Sequence, residues 1–151
     1  MAFERAKEYL KRYGLEDRIM EFDVSSATVA EAAKAIGCKE DEIAKSLSFM
    51  VEERPILIVV ASKIDNSKFK GEFHTKAKML PFDEVENLIG HAVGGVCPFG
   101  VQENVEVYLD DSLKKFEIIY PACGSANSAV KLTVEELEQA SGYKKWVDVC
   151  K

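Results

Sequence analysis

The six consecutive apolar residues Ile56-Leu-Ile-Val-Val-Ala61 limit the possible folds of this chain more than any other stretch. A strand with one wet face alternates polar and apolar side chains, so an unbroken run rich in β-branched residues belongs to a central strand covered on both faces. Ser46-Leu-Ser-Phe-Met-Val51 precedes this run, and Glu52-Glu-Arg-Pro55 turns the chain between the two. The pair predicts a hairpin at the centre of a sheet, with helices needed on both sides. Lys45 then stands at the start of a core strand, where neighbouring backbone fixes the direction of its long side chain.

The remaining elements interleave around this hairpin. Phe3, Ala6, Leu10 and Tyr13 recur at helical spacing and Gly14 supplies a stop, predicting a packing helix over 2–13. A short strand over 18–23 follows. Thr28-Val-Ala-Glu31 and Thr133-Val-Glu-Glu136 are capping-box signatures, opening helices that end at Gly37 and Gly142. A further helical turn is expected over 40–44, and Asp65 or Asn66 caps a helix running to Phe73. A short strand is expected over 76–80. Pro81 fits a first helical position ahead of an apolar stripe of Phe82, Val85, Leu88 and Ile89. Extended segments are expected over 105–109, 116–120, 128–132 and 146–149, with a turn or short helix beginning at Asp110. This order lacks a regular βαβ rhythm, so the fold class is α+β, a mixed sheet with helices packed around it.

With 151 residues, 47% of them hydrophobic, the chain builds one core, and residues 1–151 are read as a single domain. No apolar run approaches the roughly 20 residues of a membrane span, so a membrane partner is not expected. Cys38, Cys97, Cys123 and Cys150 are widely spaced without a C-x-x-C pair, which suits reduced thiols and a cytoplasmic protein. A zinc set drawn from Cys97, Cys123, His74 and His91 has no recognised ligand spacing, and neither metal nor cofactor is expected. The net charge of −6 opposes bulk coating of nucleic acid, and DNA is not an expected partner. Lys63, Lys68, Lys70, Lys76 and Lys78 nevertheless outnumber Asp65 and Glu72 in one short stretch, a local strip suited to touching a phosphate backbone in one place.

Two loops carry the chemistry. Gly94-Gly-Val-Cys-Pro-Phe-Gly100 cannot continue a helix or central strand, and its bare main chain permits close approach. Pro121-Ala-Cys-Gly-Ser-Ala-Asn127 is a second small-residue loop. If both meet Lys45 in one cleft, main-chain donors, a point cation and a neutral amide together suit an oxyanion. Donors fixed where charge develops in ester hydrolysis contribute about 10² to 10³ each in rate, and water can be the nucleophile.

Ala44-Lys-Ser-Leu-Ser-Phe49, Gly94-Gly-Val-Cys-Pro-Phe-Gly100, Val107-Tyr-Leu-Asp-Asp-Ser-Leu113 and Gly124-Ser-Ala-Asn127, in that order, resemble the YbaK family of editing domains. These are also called prolyl-tRNA synthetase-associated or insertion-type domains, and the resemblance covers residues 19–149. It implies a curled mixed sheet and a freestanding deacylase that hydrolyses the ester of a mischarged tRNA, with a small amino acid on tRNA for proline as the expected substrate. It implies that Lys45 holds the terminal adenosine and its phosphate, or the substrate carbonyl. Gly94 and Gly95 would share the catalytic work, and Val96, Cys97, Pro98, Phe99 and Gly100 would bind the aminoacyl end. Gly124, Ser125 and Asn127 would line the same pocket, and Lys63, Lys68 and Lys70 would touch tRNA. A synthetase is the other implied partner. Family loops often carry Ser where this chain has Cys97, and some members carry His in the last loop, where this chain offers Ser125 and Asn127.

Two other functions fit the same residues. Cys97 with His91 as its base would make a cysteine hydrolase. The pocket could also hold a nucleotide or an uncharged tRNA end without turnover, regulating a synthetase.

Overall fold

The computed structural model describes residues 2–151. β2 (Ile43–Val51) and β3 (Arg54–Val60) form the predicted antiparallel hairpin at the centre of a six-stranded mixed sheet. β4 (Glu106–Asp110) adds in parallel to β3, and β8 (Lys145–Val147) adds in parallel to β4. On the other side, β5 (Ile118–Pro121) runs parallel to β2, and β7 (Leu132–Thr133) closes that edge antiparallel to β5. The order is β7-β5-β2-β3-β4-β8, and the sheet is curled. A separate ribbon pairs β1 (Ile19–Glu21) with β6 (Ser128–Val130). The fold is α+β, as the interleaved elements and the family resemblance both implied.

The central strand is covered as its composition requires. Ile56, Ile58 and Val60 face one cluster with Phe49, Phe69 and Tyr108, where Phe69 stacks at 4.9 Å from Phe49 and 4.8 Å from Phe73. Leu57 and Val59 face the opposite side, Val59 with Leu10, Leu109, Leu113 and Leu137, and Leu57 with Leu80, Val85 and Ile89. Helices α1 (Ala2–Lys11) and α5 (Val134–Ser141) contribute to the Val59 side through Ala6, Leu10, Leu137 and Ala140. Helix α3 (Asn66–Phe73), capped by the Asp65 carboxylate accepting from the Lys68 N–H, covers the other face through Phe69. Both capping boxes form: Thr28 and Glu31 open α2 (Val29–Ile36), and Thr133 and Glu136 open α5.

Several expectations shift. Strand β2 begins at Ile43, so Lys45 is its third residue and not its first; residues 40–42 make a single 3-10 turn and release the chain early. The hairpin turn is two residues, Glu52 and Glu53, both left-handed at φ 50° and 66°, with Pro55 already paired to Met50 in β3. Left-handed turns of this kind match strand twist and normally recruit Asn or Gly, so composition gave no cue. Residues 76–80 form no full strand, making one bridge from Met79 to Phe49. Residues 82–84 are a 3-10 turn ahead of α4 (Val85–Ile89), and Phe82 leaves the apolar stripe to stand 78% exposed.

Among the described residues no helix is long and apolar enough to cross a membrane.

Candidate active site

The geometry starts from an interruption in pairing along one edge of β2. Strand β5 covers that edge only at Ile43 and Ala44. Farther along, Met50 N–H donates to Lys78 O at 2.9 Å and Leu80 N–H donates to Ser48 O at 3.2 Å. Between these ends, no strand among the described residues pairs with 45–47 on this side. A cavity of about 520 Å³ opens along the gap. Its walls are largely apolar, with Val29 and Ala32 from α2, Leu80 and Val85 from the segment around α4, and Val96 and Ala129 from the loops. Met79, Phe82 and Val93 stand at the mouth, and all three are exposed.

Lys45, Gly94 and Val96 line this cavity. Lys45 is half-buried and makes no ion pair among the described residues. By alternation its side chain leaves β2 on the face of Leu47 and Phe49, opposite Ser46 and Ser48. Its place on the uncovered edge makes the residue part of the cavity lining. The same face brings its charge near Cys150, whose thiol burial pushes up to about 12 while Lys45 acts in the opposite direction.

Gly95 and Gly124 lock the two loops together. A Cβ on Gly95 would stand 2.6 Å from Ser125 N and 2.7 Å from Gly124 C, and Gly124 N–H donates to Gly95 O at 3.0 Å. Gly94, at φ 98°, packs its α-carbon toward Ala27 and Ala126. The second loop is tied in turn to the segment before α2: Ser26 N–H donates to Ala126 O at 2.7 Å and Asn127 Nδ2 to Phe22 O at 3.1 Å. Both predicted loops thus meet, and the second reaches the cavity through Ala122 and not through its predicted residues. Gly124, Ser125 and Asn127 stand behind it, with Ser125 donating to Asn127 Oδ1 at 3.0 Å, while their neighbours Ala122, Ser128 and Ala129 supply the wall.

The side chains of Cys97 and Phe99 do not bind in the cavity either. They are fully buried in the core with Leu10 and Ile119, and Pro98 is buried between them. Their burial anchors the loop from behind, and Gly100 ends it at φ 74°. Arg5 of α1 clamps both flanks, donating from Nε to Gly100 O at 2.9 Å and from Nη2 to Gly90 O. The first helix is therefore more than packing, because one exposed guanidinium holds the loop.

The Cys97 and His91 pair is close but unsuited to nucleophilic work. His91 Nε2 lies 2.7 Å from Phe99 O, an acceptor only, so that nitrogen carries the proton and cannot take one from Cys97 Sγ at 3.6 Å. Burial lowers the His91 pKa and raises the Cys97 pKa, leaving both neutral. The cysteine-hydrolase alternative fails on that geometry. His74 caps α3 on the surface, far in role from this pair, and among the described residues no group of three metal-ligating side chains is placed to hold an ion.

Lys63, Lys68 and Lys70 are all exposed. Lys68 pairs with Asp148 at 3.2 Å, which raises its pKa through that hydrogen bond. Lys63, Lys70 and Lys78 have no ion pair among the described residues, and Lys78 adjoins Met79 at the cavity mouth. None of the three predicted lysines lines the cavity itself.

The model of the aminoacyl-tRNA editing domain matches residues 23–140, which include every cavity-lining segment. The chain belongs to the aminoacyl-tRNA editing domain family. The uncharacterized protein YwhH of Bacillus subtilis (strain 168) is 47% identical to this editing domain over 154 positions, covering 100% of the chain and 98% of YwhH. A proline–tRNA ligase of Shouchella clausii (strain KSM-K16) is 32% identical over 101 residues, 65% of this chain and 17% of that enzyme. Among solved structures, a candidate trans-editing enzyme for prolyl-tRNA synthetase superposes with a TM-score of 0.87 at 27% identity, covering 99% of this chain and 97% of that one. The hypothetical protein APE2540 superposes at 0.84, also at 27% identity, over 96% and 98%.

Sequence reasoning missed five contributors. Arg5 gave no signal beyond a helix charge. The 26–29 segment read as a turn and helix cap. Met79 read as part of a short strand and Phe82 as part of an apolar helix stripe. Ser46 stood beside Lys45 unremarked, yet its position on the uncovered edge follows from where β5 leaves β2.

Proposed function

We propose that this editing domain is a deacylase acting in trans, hydrolysing the ester that joins a wrong, small amino acid to the 3′ end of a tRNA. One observation carries the reading: a single apolar cavity is bounded by Lys45, by the uncovered edge of β2 and by the Gly94 end of a glycine loop. The ammonium of Lys45 holds the terminal phosphate or the substrate carbonyl. Main chain at Gly94 faces the developing oxyanion and orients the attacking water, with Gly95 fixing it from behind through its N–H donating to Ala92 O and its C=O accepting from Gly124 N–H, so no protein nucleophile and no cofactor take part. Cys97, Pro98, Phe99 and Gly100 bind substrate indirectly, by fixing that main chain, and Gly124, Ser125 and Asn127 brace it from the second loop.

The exposed mouth suits the tRNA end. Phe82 and Met79 offer a surface on which the terminal base stacks, a contact that tolerates any base. Lys63, Lys68 and Lys70, with Lys78 nearer the mouth, meet the acceptor-stem phosphates. The likeness to a proline–tRNA ligase segment and to a candidate trans-editing enzyme for prolyl-tRNA synthetase favours tRNA for proline, with that synthetase as a partner. Editing answers a physical limit: one methylene changes binding in an apolar pocket by only about 1–3 kcal/mol, so a second hydrolytic sieve is needed for small amino acids.

The test is a panel of mischarged tRNAs, beginning with alanyl- and cysteinyl-tRNA for proline. Release of one or two small amino acids, with correctly charged prolyl-tRNA spared, supports the proposal. No release from any member, together with tight binding of uncharged tRNA, would replace it with a non-catalytic binding module. Charge reversal at Lys63 and Lys70 should flatten the salt dependence of the reaction; an unchanged dependence would remove the strip from tRNA contact.

A further inference from the structure

Ser46 lines the cavity and carries a side-chain oxygen with no partner among the described residues. Its Oγ is buried and makes no hydrogen bond. Its main chain is also uncommitted, by strand geometry: Ser48 turns its carbonyl outward to Leu80 N–H, and residues two apart on a strand point the same way. Ser46 N–H and C=O therefore face the gap between the end of β5 and the 78–80 segment, where no strand among the described residues pairs. Natural folds pair such groups or leave them to water or a ligand. Here three of them converge on an apolar cavity beside Lys45.

We infer that Ser46 is the subsite for the amino-acid end of the substrate, with its C=O and Oγ accepting from the α-ammonium and its N–H donating to the ester carbonyl. This rests on the deacylase proposal above. An aminoacyl group carries one donor and one acceptor across a single Cα, which is the complement of one residue in an antiparallel ladder. Ser46 thus holds the substrate as though it were one residue of an added strand, while the amino acid's side chain is left to the apolar walls. Recognition through these atoms is the same for every amino acid and separates a free α-amino group from a blocked one. The two conserved demands of an ester substrate, charge on nitrogen and a polarised carbonyl, are met from one position on a rigid central strand.

Two measurements test it. In the free protein, hydrogen exchange of the Ser46 amide should be much faster than that of Leu47 and Phe49, whose N–H groups turn toward β3; equal protection would overturn the inference without reference to activity. Next, ¹⁵N-labelled protein is titrated with 3′-alanylamino-3′-deoxyadenosine, an amide that is not hydrolysed, and with its propionyl counterpart, which lacks the amine. The Ser46 amide resonance should move with both, and the alanyl compound should bind about 10-fold more tightly, the size expected of a charge-assisted hydrogen bond. Ser46→Ala should remove part of that difference and leave propionyl binding unchanged. Equal affinities, or a Ser46 resonance unmoved at saturation, would overturn the subsite while deacylation stood. An intact protein that releases no amino acid from any mischarged tRNA would instead overturn the parent proposal.

Discussion

Gly95→Ala should separate the two loops, because the added Cβ has nowhere to go. It would stand 2.6 Å from Ser125 N, 2.7 Å from Gly124 C and 2.8 Å from Ser125 Cα, all of them backbone atoms that cannot swing aside. Restoring an ordinary contact of about 3.4 Å requires the loops to part by about 0.8 Å. The Gly124 N–H to Gly95 O bond, now 3.0 Å, would open to about 3.8 Å, beyond hydrogen-bond range. Losing it costs about 1 kcal/mol and the residual overpacking about 1–3 kcal/mol, for a total near 2–4 kcal/mol. In a chain of this size that lowers Tm by about 4–16 °C. Gly71→Ala is the control, since Gly71 lies inside α3 with nothing within 4 Å of its Cβ position; it should be neutral or stabilising by up to about 1 kcal/mol. Thermal and urea unfolding followed by circular dichroism compare the two. A Gly95→Ala protein melting within a degree or two of the control would refute the loop-to-loop packing described here.

Three further outcomes follow from the same structure. Burial lowers the His91 pKa below its ordinary 6.5, so the unfolded chain binds the extra proton first and stability falls as pH drops below 6.5; His91→Gln should flatten Tm against pH there, and an unchanged slope would contradict a neutral buried His91. Replacing Glu52-Glu53, both at positive φ, with Asn-Gly should stabilise the hairpin by about 1–2 kcal/mol, read from the urea midpoint. Phe82→Ala, at a side chain 78% exposed, should leave Tm unchanged and raise KM for mischarged tRNA more than it lowers kcat; a loss of Tm would return Phe82 to a packing role.

The central hairpin, both capping boxes and the Asp65 cap were legible because each is local chemistry: an apolar run, a Thr with Glu three residues on, a carboxylate at a helix start. The meeting of the two small-residue loops was legible only as a possibility, since contacts between residues 95 and 124 depend on topology. Burial was the hidden variable at the site. Cys97, Pro98 and Phe99 read as loop residues, yet their side chains turn into the core and only the main chain beside them approaches the cavity. The Glu52-Glu53 turn escaped notice because a two-residue loop forces left-handed backbone on whatever residues occupy it. The uncovered edge at Ser46 was out of reach for a similar reason: it is set by how early β5 departs from β2, a register that no local pattern encodes.

The most direct measurement is release of labelled alanine from alanyl-tRNA for proline by the intact protein and by Lys45→Ala, with Tm recorded for both. The cavity that Lys45 and Gly94 share predicts release by the intact protein and a loss of about 10²-fold or more in rate for the variant, at nearly unchanged Tm. A Lys45→Ala protein that deacylates at the full rate would contradict the cavity's role in the chemistry.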